Sequence, residues 1–126
     1  MKQKSALVLF AHGARDPRWA QPFQRLQAIA RERLPDAQVE LAFLELMEPR
    51  LPAVVTRLAE EGCTQVSVVP VFLGQGGHVL RDLPPMVEEL RAAHPGVAIT
   101  VSEAVGENAA VLDAIAAYCV QSLRQD

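Results

Sequence analysis

Four short apolar runs recur along the chain, and after each one apolar residues return every three or four positions. Ala6-Leu7-Val8-Leu9-Phe10-Ala11 is continuously apolar and stops at His12-Gly13, the pattern of a strand buried on both faces of a parallel sheet. Asp16-Pro17 supplies a helix cap and a first-turn proline, and Trp19, Phe23, Leu26, Ala30 and Leu34 then mark one helical face as far as Pro35. Val39 to Leu44 predicts a second strand, whose far end carries Glu45 and Glu48. Pro49 and Pro52 open a second helix that turns Val54 or Val55, Leu58 and Ala59 inward and closes at Gly62 in a left-handed cap. Gln65 to Leu73 predicts a third strand, in which Pro70 lacks an N–H and forces a bulge or a loss of pairing on one side. Asp82, Pro84 and Pro85 open a third helix carrying Val87, Leu90 and Ala93, ended by His94-Pro95-Gly96. Val97 to Val101 is the fourth strand, and a last helix from near Asn108 is expected to bury Val111, Leu112, Ile115, Cys119 and Leu123.

Strands that alternate with helices pair in parallel through right-handed crossovers. The expected fold is therefore α/β and flavodoxin-like: a doubly wound parallel sheet of four strands in the order 2-1-3-4, with helices on both faces, in a single domain over residues 1–126. In that order the winding reverses at the first strand, and ligands bind beside the reversal at the carboxyl ends of the strands. His12 leaves the first strand, Glu45 and Glu48 the second, and Leu73-Gly74-Gln75-Gly76-Gly77-His78 the third. Residues far apart in sequence are thus expected on one rim.

Composition narrows the function classes. Half the residues are apolar, and 12 basic residues stand against 15 acidic ones for a net charge of −3, so the chain reads as an ordinary globular domain. It has no basic run interleaved with aromatics, and nucleic acid is not an expected partner. No stretch approaches the ~18 apolar residues of a membrane span, and Cys63 and Cys119 lie far apart without a partner motif, so reduced thiols in a cytoplasmic protein are expected. There is no Gly-x-x-x-x-Gly-Lys-Ser/Thr loop, and the glycines at 74, 76 and 77 do not form a dinucleotide fingerprint. Histidine phosphatases also begin with a strand running into His-Gly, but an arginine precedes that histidine, where this chain has Ala11.

Two imidazoles and a carboxylate are a common ligand set for cobalt, nickel, iron or zinc, and fewer than four protein ligands leave coordination positions open. The glycines let the backbone approach a large flat ligand and also permit left-handed geometry. The same residues are compatible with a plainer reading, in which His12 and His78 are hydrogen-bonded turn residues and Glu45 and Glu48 are solvated acids. His94, in the last turn of a helix, complements the helix dipole.

Three blocks carry a resemblance. Leu9-Phe10-Ala11-His12-Gly13-Ala14-Arg15-Asp16, Phe43-Leu44-Glu45-Leu46-Met47-Glu48-Pro49 and the run from Val69 through Pro70 and the glycines to His78, Arg81-Asp82 and Pro84 resemble the signature blocks of the small CbiX-type sirohydrochlorin chelatases. These are class II chelatases, which insert a divalent metal into a tetrapyrrole without ATP. Ala14 departs from the pattern, since many relatives carry serine there. The resemblance implies that His12 binds the metal and accepts a pyrrole proton, that His78 is the second metal ligand, and that Glu48 and the loop Leu73, Gly74, Gln75, Gly76, Gly77 and His78 contact the tetrapyrrole. Glu45 is added from its position as a third ligand or proton relay. The expected partners are sirohydrochlorin and the metal, with no cofactor beyond the divalent ion itself, be it cobalt, iron or nickel. Longer relatives carry two such domains, so the resemblance implies that a short chain pairs with itself as a homodimer. Arg15, Arg18, Arg50 and Arg81 would give a local basic ring for a polycarboxylate substrate. A non-catalytic tetrapyrrole or metal carrier is the alternative, and a histidine-phosphatase-like hydrolase a more distant one.

Overall fold

The computed structural model of the chain describes residues 4–74 and 76–124; the side chains of residues 77, 78 and 80 fall outside that description. Its centre is a parallel sheet of β1 (Ser5–Ala11), β2 (Gln38–Phe43), β3 (Gln65–Pro70) and β4 (Ala98–Val101) in the order β2-β1-β3-β4. That is the order and the doubly wound fold expected from the sequence. Between the strands run a 3-10 turn (Pro17–Ala20) leading into α1 (Gln21–Arg33), then α2 (Leu51–Glu60) and α3 (Gly77–Ala93); a second 3-10 turn (Val105–Glu107) precedes α4 (Ala109–Leu123).

The two faces of the sheet are covered unequally. Ala6, Val8, Phe10, Val66, Val68 and Ile99 point to one face, where Leu51, Val54, Val55 and Leu58 of α2 and Val79, Leu83, Val87 and Leu90 of α3 bury them. This is the main core, and Phe10, Val8, Val66 and Val68 are fully enclosed. On the other face Ala11 and Phe43 pack with Ala20, Trp19 and Phe23, and Gln27 and Arg31 of α1 donate to the Val39 carbonyl. Toward β3 and β4 this face stays open, with Gln65, Ala98 and Thr100 exposed.

Local chemistry explains most of the boundaries. Asp16 caps the first 3-10 turn by accepting from the Arg18 amide, and Gly62 adopts φ +93° while Cys63 N–H donates to the Leu58 carbonyl, the left-handed cap anticipated for α2. The pairing of β3 with β4 ends at Val68 opposite Val101, whereas pairing with β1 continues until Val71 N–H donates to Phe10. Pro70 therefore sits where its missing donor faces no partner strand.

Two expectations about helices are corrected. The third helix begins at Gly77, not near Asp82, so Pro84 and Pro85 lie inside it. Burial of Val79, Leu83, Val87 and Leu90 at three- and four-residue steps carries the helix through the prolines, tertiary packing outweighing propensity. The last helix buries none of its residues: Leu112, Ile115, Tyr118, Val120 and Leu123 are all exposed, Tyr118 by 76% and Leu123 by 86%. Its sequence is apolar on every side, yet it stands clear of its own sheet.

Candidate active site

His12 follows β1 directly and Glu45 lies two residues beyond β2. The backbone continues the strand pairing past both ends: Leu44 N–H donates to the Ala11 carbonyl and Glu45 N–H to the His12 carbonyl. The side chains meet on top of this scaffold, His12 Nε2 lying 2.9 Å from Glu45 Oε2, with 44% and 36% of the two side chains accessible. A half-exposed imidazole-carboxylate pair at a strand rim is placed to meet a ligand while the carboxylate orients the ring.

Gly13 makes the arrangement possible. Its φ is +99°, and a Cβ there would run into the carbonyl oxygen of Glu45, so both conformation and space require glycine. Leu46, also at positive φ (70°), turns the chain away after Glu45. Neither requirement was drawn from the sequence, although a glycine after a strand-terminal histidine is a signal for a tight backbone approach.

The other expected residues are distributed around this pair. Glu48 is exposed and, with Arg15, Gln24 and Met47, lines a cavity of about 480 Å³ along the outer edge of β2. A second cavity of about 430 Å³ lies between the turn after β2 and α3, lined by Glu45, Arg50, Asp82, Met86 and Glu89. The first is the larger, but the second touches the His12–Glu45 pair through Glu45 and so bears on its chemistry. Leu73 and Gly74 leave β3 beside the rim, Leu73 with 65% of its surface accessible. Side chains built at Gly74 or Gly76 would meet nothing within 4 Å, and neither glycine is left-handed. These glycines thus keep a surface clear, and neither uses the left-handed geometry that glycine permits. Gln75 lies outside the described residues, as does the side chain of His78, whose backbone forms the first turn of α3. Among the described residues no three metal-ligating side chains converge.

The arginines expected at the rim differ from one another. Arg18 is held by Asp16 at 2.7 Å, and the same hydrogen bonds keep the Asp16 carboxyl below the usual carboxylate range. Arg81 lies 3.7 Å from Asp82, while Arg15 and Arg50 line the two cavities. His94 caps α3 at the end opposite the site, its Nε2 3.2 Å from Thr56 Oγ1.

The doubly wound parallel sheet in the order β2-β1-β3-β4 is the fold of the chelatase-like class of α/β domains, as solved relatives show. The CbiX family model matches residues 6–121, and the chain is a member of that family. It is 39% identical over 82 residues to the sirohydrochlorin cobaltochelatase of Methanopyrus kandleri, a match covering 65% of this chain and 57% of that protein. A CbiX protein from Marinobacter aquaeolei VT8 superposes with a TM-score of 0.84 at 36% identity, covering 97% of this chain and 99% of its own. The sirohydrochlorin chelatase SirB of Bacillus subtilis subspecies spizizenii, solved with cobalt, shares the fold at a TM-score of 0.74 and 24% identity, over 84% of this chain and 45% of SirB. The chain thus aligns with less than two-thirds of the Methanopyrus kandleri protein.

Proposed function

We propose that the protein is a sirohydrochlorin chelatase that inserts a divalent metal, cobalt first and ferrous iron next, without ATP, in cytoplasmic cobalamin or sirohaem biosynthesis. The observation that carries this reading is the 2.9 Å pairing of His12 Nε2 with Glu45 Oε2 at the winding reversal. Metal insertion removes two pyrrole N–H protons while the ion sheds water. It therefore needs a ligand that holds the ion without trapping it and an acceptor for each proton. An imidazole can be ligand or base, and a carboxylate beside it orients the ring and passes a proton onward. In this reading His12 is metal ligand and base, Glu45 the relay, and His78 the second ligand. Glu48 and the Leu73 to His78 loop hold the tetrapyrrole, the bare Gly74 and Gly76 providing a flat seat.

The same proposal makes the working unit a pair of identical chains. Asp113 is the only charged residue of α4, and a helix apolar on all sides is stable when buried. The α1-side face of the sheet lies open beside β3 and β4, and Leu26 and Ile29 of α1 are exposed. A 15-residue helix is about 22 Å long and about 10 Å across. Laying half its surface on a partner, twice by symmetry, removes roughly 1,400 Å² from water, within the about 1,200–2,000 Å² of stable interfaces. The deciding assay follows the absorption spectrum of sirohydrochlorin with Co²⁺, Fe²⁺ or Ni²⁺ supplied separately, with and without the protein.

A further inference from the structure

The turn that follows the edge strand β4 reaches across to the loop that follows β3. Gly106 N–H donates to the Phe72 carbonyl at 2.9 Å, and a Cβ on Gly106 would fall into the carbonyl oxygen of Leu73. Backbone thus lies flat on backbone at the point where the loop begins. Farther along, side chains built at Gly74 and Gly76 would meet nothing within 4 Å. The turn itself is firmly mounted: Ala104 is buried, Ser102 N–H donates to Val68, and Asn108 both caps α4 and donates to Glu103.

We propose that Gly106 is a positioning residue for the tetrapyrrole-binding loop, acting by holding Phe72 and Leu73 at a fixed height above the sheet. The inference rests on the chelatase reading for the identity of the ligand, but the contact itself does not. Gly106 is not left-handed, so alanine is conformationally acceptable there, and the whole effect of Gly106→Ala passes through displacement of Leu73. A carbonyl cannot swing aside as the tip of a flexible side chain can, so the loop must move. His12 and Glu45 follow β1 and β2, and the atoms a Gly106 Cβ would strike all belong to Leu73, so the pair is expected to keep its place while the loop moves.

The test uses the full chain. Hydrogen exchange over residues 71–80 is compared between wild type, Gly106→Ala and the control Gly96→Ala, whose Cβ meets nothing within 4 Å. Exchange in that segment should rise about tenfold in Gly106→Ala alone, with the strands unchanged. KM for sirohydrochlorin should rise about tenfold, with kcat, to which His78 at the end of the loop contributes in the chelatase reading, falling by clearly less than KM rises. Wild-type exchange in the segment, a uniform rise across the sheet, or an equal fall in kcat would overturn the proposal. Should Gly106→Ala fail to fold, the wild-type amide of Gly106 decides: metal-free sirohydrochlorin should increase its protection, and no change would contradict the assignment. A wild type that neither binds nor metallates sirohydrochlorin refutes the chelatase reading instead, and the exchange comparison without ligand still judges the anchor.

Discussion

His12 and Glu45 meet at 2.9 Å because adjacent parallel strands end in register, Ala11 opposite Phe43, and two further backbone hydrogen bonds carry that register onto the rim. The pair is accessible and outside the core, so its loss should remove function and spare the fold. His12→Ala is expected to lower the insertion rate at least about 100-fold, and Glu45→Gln, which keeps the hydrogen bond and removes the charge, about 10- to 100-fold. Rates measured beside circular dichroism spectra check both.

Gly13 governs the same pair through sterics. Gly13→Ala places a side chain at φ +99° and drives its Cβ into the Glu45 carbonyl. A cost of about 1–3 kcal/mol or more is expected. Denaturant unfolding measures it, and a change under about 0.5 kcal/mol would contradict the geometry.

The open flank of the molecule gives a prediction about mass. Leu112→Asp with Ile115→Asp puts two carboxylates on α4, where both native side chains are exposed in the single chain. Light scattering after size exclusion should show a dimer for wild type and a monomer for the variant, with helix content unchanged. Two monomers, or two dimers, would contradict pairing through α4.

Burial separates the two thiols. Cys63 lies within the core, and burial pushes its thiol above the usual range, so the reactive thiolate is scarce at neutral pH. In a Cys119→Ser variant a thiol reagent should label no cysteine until denaturant is added, and then one. Labelling of the folded variant at the rate of a free thiol would argue against the burial.

The periodicities that set the strands were readable, because a continuous apolar run such as Ala6 to Ala11 and a valine-rich stretch such as the one after Gln65 have no other stable use in a small α/β domain, although the third strand, expected to reach Leu73, ends at Pro70. Order 2-1-3-4 followed from the alternation, and with it the gathering of His12 and Glu45. Two helices were misread for different reasons. Pro84 and Pro85 look like an N-terminus to any local rule, but α3 is held by residues on both sides of them. Val111 to Leu123 has the composition of a core helix, and sequence does not say whose core it enters. Gly106 was invisible as a steric requirement, and at Gly13 the glycine after a strand-end histidine signals a close approach without saying to what, since what excludes a Cβ at each is a carbonyl distant in sequence.

The central claim is that this rim performs metal insertion. The most direct measurement is the initial rate at which the absorption spectrum of sirohydrochlorin changes on adding Co²⁺ with wild type, with His12→Ala and with buffer alone. Wild type should exceed buffer at least about 100-fold over many turnovers, and His12→Ala should fall to near the buffer rate. Equal rates for wild type and buffer, or a single stoichiometric binding change without turnover, would contradict the account.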